Sequence, residues 1–258
     1  MKTADDRTFE VVFESRRISF VKVTEDLLPE YLEMVNDVEN VLRYIGGRLT
    51  PYTEEEERDY IRERIDSNAL MFSMLEKKSG RFIGNVEFFE RKKDGAELGI
   101  AVTTKMQNKG YGTEATLRFL EYGFKTAGFK KIRLNVYVNN PRAVHVYENC
   151  GFREVKRDEK DISMEITRDV FEAVERISEM EKKLDRVSRV LKADGSKEMD
   201  LKRVQKAVRE LERYYTGPEW KSDLALDEKG LLPKGLKRGV LSEDGISDIL
   251  DLNKERLS

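Results

Sequence analysis

Hydrophobic and polar positions divide the chain into two regimes, one of short alternating runs and one of long helical stripes. Phe9–Phe13 and Arg17–Val23 alternate apolar, β-branched and aromatic residues with polar ones, as strands do. Thr24 then offers a helix cap, with Glu25 and Asp26 behind it and Pro29 in the first turn, and Tyr31, Met34, Val35 and Val38 follow at helical spacing. A loop with Gly46-Gly47 and Pro51 leads to Thr53, and Glu56 three residues on completes a capping box for a second helix through Ile65. Ala69–Leu75, Phe82–Glu90 and Ala96–Val102 read as strands, with turns at Lys77–Gly80 and Lys92–Gly95, which makes an antiparallel meander. A helix to about Thr126 follows, stopped by Gly128. Lys131–Val138 is a strand, a helix runs from Asn140 to a stop at Gly151, and Phe152–Lys156 and Ile162–Thr167 close the sheet.

Near Arg168 the period changes. Val170, Val174, Ile177, Met180, Leu184, Val187 and Leu191 recur at spacings of three and four, the stripe of one long amphipathic helix. After a break at Lys192–Ser196, Leu201, Val204, Val208, Leu211 and Tyr215 mark a second helix, expected to run antiparallel to the first. The stretch holding Pro218, Trp220, Gly230, Pro233 and Gly235 reads as a loop, and Ser242 caps a last helix through Leu250 and Leu257. The pattern predicts an α+β domain over residues 1–168 and a small all-α domain over 170–258.

The junction of strand and helix at Val102–Ala115 carries the chemistry. Gln107-Asn108-Lys109-Gly110-Tyr111-Gly112 is a Q-x-x-G-x-G pattern between the apolar run ending at Val102 and the helix of Ala115, Leu117, Leu120 and Phe124. The first N–H groups of a helix lack intrahelical partners and carry the positive end of its dipole, and glycines let the backbone approach a ligand, so a phosphate or pyrophosphate is the natural guest. A Walker loop would need Gly-Lys-Ser or Gly-Lys-Thr, which does not occur. A dinucleotide fingerprint fits Gly110-x-Gly112-x-x-Ala115. It would, however, follow its strand at once and place an acid after the next strand, where Tyr137-Val138-Asn139 stands instead.

Composition narrows the classes. Of 258 residues 38% are charged, more than the roughly 25% usual for globular domains, which suggests long solvated helical faces. A net charge of −2, balanced in the helical tail, provides no field for nucleic acid or membrane. One cysteine excludes an internal disulfide and a Cys-cluster metal site, and one histidine excludes a His-rich site, so no metal is expected. The first ten residues lack the apolar core of a signal peptide and no run approaches the roughly 18 residues of a membrane span. A soluble, cytoplasmic protein is the expectation.

A second block, Asn140-Pro-Arg-Ala143-Val-His-Val-Tyr147-Glu-Asn-Cys-Gly151-Phe152, follows the glycine loop by about 30 residues. Together the two blocks resemble the acyl-CoA loop and the N-x-x-A-x-x-x-Y-x-x-x-G-F signature of the GCN5-related N-acetyltransferases. The first strands and hairpins are most similar to the branch that acetylates ribosomal-protein N-termini, polyamines or amino-acid-like amines. The tail, with Glu212-Arg-Tyr214-Tyr215, Glu219-Trp220 and Leu232-Pro233 through Asp244, resembles a small bacterial helical domain of unknown function. The resemblance implies a mixed, mostly antiparallel central sheet flanked by helices, acetyl-CoA as cosubstrate, and direct transfer to a primary amine. The acceptor would be a small molecule or a peptide; a homodimer is left open. A non-catalytic acyl-CoA-binding or assembly module, acting through the tail, is the competing reading.

The same resemblance assigns residues. Backbone N–H groups of Gln107, Lys109, Gly110, Gly112 and Thr113, within the loop that also holds Asn108 and Tyr111, would hold the pyrophosphate. The strand ending at Val102 would pair with the pantetheine, leaving N–H groups of Ile100 to Val102 toward the thioester oxygen. Asn140 would hold that arm, and Ala143, i−4 from Tyr147 and on its face, would leave room for it. Tyr147 would protonate the leaving thiolate, since a phenol (pKa about 10) keeps its proton at neutral pH; a merely packed aromatic is the alternative. For the base or amine anchor Glu97 is the first candidate and Glu87 the second, although a carboxylate is a poor base unless its surroundings raise its pKa. His145 reads as exposed or packed, Cys150 as helix-end packing, and Glu54–Glu57 as exposed carboxylates at a helix start or as an acidic rim for a cationic amine. Arg238 beside Glu243 and Asp244 reads as a structural charge cluster.

Overall fold

The computed structural model describes residues 7–45, 48, 50–193 and 198–257, so the Gly46-Gly47 turn and most of the break after Lys192 lie outside the described residues. The chain divides into two compact units, Met1–Arg168 and Asp169–Ser258. In the first, eight strands form one sheet: β1 (Val11–Glu14), β2 (Ile18–Lys22), β3 (Leu70–Glu76), β4 (Phe82–Lys92), β5 (Gly95–Val102), β6 (Lys131–Tyr137), β7 (Arg153–Arg157) and β8 (Asp161–Thr167). The order is β1-β2-β3-β4-β5-β6-β8-β7, and every neighbouring pair is antiparallel except β5–β6. The helices of this unit are α1 (Leu28–Val35), a short α2 (Arg43–Ile45), α3 (Glu54–Asp66), α4 (Tyr111–Glu121) and α5 (Pro141–Asn149).

Helix starts follow their local chemistry. Thr53 and Glu56 form the reciprocal capping box that the sequence announces for α3. Asn140 caps α5, its side-chain oxygen accepting from the Ala143 amide at 3.2 Å, with Pro141 in the first turn. α1 ends at Val35, short of Val38, because Asp37 caps a separate π-helical turn over Val38–Leu42. α4 is fixed to the sheet by aromatic packing: Phe119 stacks on Phe88 with ring centres 3.9 Å apart, and both are fully buried. A second cluster, built on Val21, Leu27, Tyr31, Ile61 and Met71, joins α1 and α3 to β2 and β3.

The second unit holds α6 (Arg168–Leu191), α7 (Glu198–Thr216), α8 (Pro218–Glu228) and α9 (Glu243–Leu257). Ile177, Leu184, Val187, Val204, Leu211 and Trp220 are among the residues of its core. Residues 218–228, expected as loop, are the helix α8. Pro218 sits in its first turn, where the missing N–H costs nothing, and the helix buries Trp220 and Asp223 rather than an apolar stripe, so no period betrays it. Asp223 is fully buried and receives a fork from Arg176, at 2.9 and 2.5 Å, and the Tyr214 hydroxyl at 2.9 Å. Arg238 pairs at 2.5 Å with Asp227, not with Glu243 or Asp244, and donates to the Pro233 and Leu236 carbonyls. Glu181 is buried and accepts from the Val240 amide at 2.6 Å.

Candidate active site

β5 and β6 pair at only three positions, Gly95–Glu97 against Lys131–Arg133. Beyond them the strands diverge: β5 stays on β4 as far as Val102, and β6 stays on β8 as far as Tyr137. The edge of β5 that faces β6 is thereby left unpaired from Leu98 on. A strand edge with free backbone groups is a template for an extended guest. The gap opens into a cavity of about 340 Å³ walled by Ile100, Ala101 and Val102 on one side and Asn135, Val136 and Tyr137 on the other.

The glycine loop closes one end. Asn108 and Gly110 both adopt positive φ, 59° and 78°, which reverses the chain into α4. No side chain caps that helix, and its first bond of helical type is Glu114 N–H to the Gly110 carbonyl at 3.1 Å. The amides of Tyr111, Gly112 and Thr113 are left without helical partners. A Cβ on Gly112 would meet nothing within 4 Å, so the backbone there is open to a ligand. Arg17 holds the loop from behind. It donates to the Lys109 carbonyl at 2.9 Å, pairs with Glu114 at 2.6 Å and lies over the Tyr111 ring at 4.4 Å. The Tyr111 hydroxyl donates to Glu76.

A family profile described as an acetyltransferase (GNAT) domain matches residues 17–153. The chain belongs to that family. It is therefore an N-acetyltransferase with acetyl-CoA as acyl donor, and the unpaired strand edge and the uncapped helix start suit the extended arm and the diphosphate of such a donor. Residues 177–258 match a domain of unknown function, DUF4298. Spermidine N(1)-acetyltransferase of Vibrio cholerae is 32% identical over 127 residues, 48% of this chain and 72% of that protein. The structure of a spermidine N-acetyltransferase from Vibrio cholerae with CoA and spermine superposes with a TM-score of 0.52 at 25% identity, over 60% of this chain and 98% of that one. A GNAT-family acetyltransferase from Bacillus anthracis shares the fold, with a TM-score of 0.55 at 22% identity over 62% and 98% of the two chains. Among the described residues no helix is long and apolar enough to cross a membrane, and no cluster of His, Cys, Asp and Glu could hold a metal ion.

In this acetyltransferase, Ile100, Val102, Gln107, Asn108, Gly110, Gly112, Thr113, Asn140, Ala143 and Tyr147 all line the cavity. Lys109 and Tyr111 do not: the Lys109 ammonium donates to the Lys105 carbonyl at 2.7 Å, and Tyr111 is turned toward Glu76 and Arg17. Gln107 lines it with its backbone N–H already engaged. Its backbone amide donates to the Thr103 and Thr104 carbonyls and one N–H of its side chain to the Val102 carbonyl at 2.9 Å, so it shapes the loop and its backbone N–H is already engaged.

Tyr147 is buried in the wall, edge-on to Phe152, and among the described residues nothing accepts from its hydroxyl. Burial, and secondarily Cys150, raises its pKa above the ordinary phenol value. Cys150 is buried, its thiol pushed up to about 12 by burial, with Sγ against the Thr113 carbonyl at 3.8 Å, a packed residue and not a nucleophile. His145 is exposed and bonds Asn149 at 3.0 Å.

Neither carboxylate candidate reaches the cavity. Glu97, half-buried on the paired part of β5, accepts from the Asn135 side chain at 2.8 Å, and Asn135 in turn accepts from Ser163 at 2.7 Å. Glu87 is tied to Arg64 at 3.0 Å and to the Tyr60 hydroxyl at 3.1 Å. Burial raises its pKa, while Arg64 and Tyr60 act against the rise. Sequence reasoning missed Asn40, Tyr44 and Ile45 on one side of the cavity and Thr116, Asn135 and Arg142 on the other. Arg142 and Thr116 had a signal, standing inside or one turn beyond the two motifs. The 40–45 segment had none, because its place depends on the packing of α1 over the sheet.

Proposed function

We propose that this chain transfers an acetyl group directly to a primary amine: a polyamine, a peptide or protein N-terminus, or another small amine. The observation that carries the reading is the protonated, unpartnered hydroxyl of Tyr147 in the wall of a cavity whose end is an uncapped helix start. Acetyl-CoA, when bound, supplies an acetyl group activated as a thioester. The amides of Tyr111, Gly112 and Thr113 are disposed to hold its diphosphate. The open edge of β5 and the carboxamide of Asn140 are disposed to hold its arm, and Ala143 leaves space beside Tyr147.

Tyr147 faces a leaving group whose thiol has an ordinary pKa of about 8.5. Its hydroxyl holds its proton throughout the working range and donates a hydrogen bond where negative charge develops on sulfur. Among the described residues no carboxylate lines the cavity, so in this proposal the acceptor enters as the free amine. Glu97 then orients Asn135 rather than taking the proton: as the C–N bond forms and the C–S bond breaks, the proton shed by the amine nitrogen passes through solvent to the leaving sulfur, which departs as the thiol. The likeness to spermidine acetyltransferases supports a small amine as acceptor.

Thiol release from acetyl-CoA with a panel of peptides, polyamines, aminoglycosides and free amino acids tests the reading. Tyr147→Phe is expected to lower kcat about a hundredfold with little change in KM for the donor. Equal rates would remove Tyr147 from the mechanism, and no release with any amine would favour a binding or assembly role over catalysis.

A further inference from the structure

The acyl donor takes up the glycine loop, the open edge of β5 and the face of α5, and leaves one part of the cavity wall without a role: Asn40, Val41, Tyr44 and Ile45. These residues come from the π-helical turn over Val38–Leu42 and from α2. Val41 is buried, Tyr44 is half-buried and Ile45 is 40% exposed, so an apolar and aromatic surface still meets water there. Charge is arranged against a cation. Arg142 is the sole ionic side chain on the cavity wall among the described residues, and the Arg43 guanidinium lies over the Tyr44 ring at 5.2 Å. The neighbouring acids are engaged or turned away. Asp37 accepts from the Thr104 hydroxyl and from the backbone and side chain of Asn40, and Glu33 pairs with Lys105 at 2.6 Å. Glu87 and Glu97 are held by Arg64, Tyr60 and Asn135, and Glu39 is exposed and does not line the cavity.

We propose that the acceptor is a monoamine on an apolar or aromatic carrier, whose apolar group rests on Tyr44 and Ile45, and not a polyamine. This rests on the amine-transfer reading of the cavity and narrows its acceptor class. A polyamine at neutral pH carries further ammonium groups beside the one that reacts. Each loses hydration on entering the cavity, and a charge that leaves water without a partner of opposite sign is costly. Here it would meet two guanidinium groups and, among the described residues, no lining carboxylate. An apolar carrier has no charge to desolvate, and it removes the surface of Tyr44 and Ile45 from water together with its own. Its aromatic form can also pack against the Tyr44 ring.

The test uses the full-length protein with acetyl-CoA and compares thiol release with phenethylamine and with spermidine. The wild type is expected to show a kcat/KM for phenethylamine about tenfold above that for spermidine. Tyr44→Ala is expected to raise the KM for phenethylamine about tenfold at near wild-type kcat, the pattern of lost uniform binding, and to leave the KM for spermidine unchanged. Tyr44→Phe should keep the phenethylamine KM, since the ring makes the contact. Ile45→Asp, which sets a carboxylate at the wall, is expected to raise kcat/KM for spermidine about fivefold, the worth of one exposed ion pair, and to lower it for phenethylamine. A wild type that prefers spermidine overturns the inference and leaves the amine-transfer reading standing. So does release with other amines but with neither of these two. A Tyr44→Ala protein whose KM is unchanged for phenethylamine, or raised equally for both amines, also overturns the inference. Release with no amine at all overturns the transfer reading itself, and this inference with it.

Discussion

Glu57 differs from the three acids that precede it in chain. Glu54 pairs with Arg58 and Glu56 with Arg48 and Thr53 at the exposed start of α3, whereas Glu57 is turned inward and buried, with no hydrogen bond or ion pair to its carboxylate among the described residues. Burial alone raises its pKa to about 7. The unfolded carboxyl ionises near 4.5, so between there and pH 7 the native state holds a proton that the unfolded state has lost. Stability therefore falls as pH rises through that window and levels off above it. Glu57→Gln is expected to match the wild type near pH 4 and to exceed it by roughly 3 kcal/mol at pH 8, read as urea midpoints across pH. A difference that does not grow with pH would show that the carboxylate is already paired or solvated. The run of four acids was legible in sequence as a helix start; which one faces inward was not, because that depends on the rotation of α3 over the sheet. Tyr147 and Thr116 show the same limit. The signature names the tyrosine, but that Thr116 borders the same cavity with its hydroxyl unpaired becomes visible only when its surroundings are built.

At the scale of elements, the β1–β2 turn supports the glycine loop. Arg17 reaches back across the sequence to the Lys109 carbonyl, Glu114 and the Tyr111 ring, and Ser15 adds a bond to Glu114 at 2.7 Å. The left-handed turn at Gly110 is thereby held with its free amides toward the cavity. Arg17→Ala is expected to raise the KM for acetyl-CoA about tenfold while leaving kcat near the wild-type value, the pattern of lost binding that is equal in ground and transition states. Arg17→Lys should not restore it, since an ammonium can neither fork nor stack as the guanidinium does. A fall in kcat at unchanged KM would contradict this role. The loop itself is readable from its glycines, because the backbone demands them locally. Its clamp lies about ninety residues away in sequence, and no local pattern records it. α8 was hidden for a related reason: its buried side chains, Trp220 and Asp223, are held by polar partners and not by a stripe.

At the scale of the whole molecule, the two units depend on different interactions. The first has an aromatic core beneath an eight-stranded sheet, and the second adds to its helical core a charge cluster at Asp223. A buried carboxylate with a guanidinium and a phenol on it is costly to break from one side, because the remaining charge is left unpaired. Asp223→Ala is expected to lower stability by roughly 3 kcal/mol. Trp220 is the chain's single tryptophan, so its fluorescence reports that unit alone; an unmoved fluorescence midpoint in urea would refute the role. By itself the sequence determined the period of most elements, though not of α8, together with the caps, the place where phosphate chemistry belongs and the family, because these depend on neighbours within a turn or two of chain. Only the tertiary structure decided that β5 and β6 part after three pairs, that Glu97 faces Asn135 and not the slot, and that Arg17 braces the loop. Those follow from contacts between segments remote in sequence, whose free energy depends on how the sheet twists and what packs on it, and not on any residue's own preference.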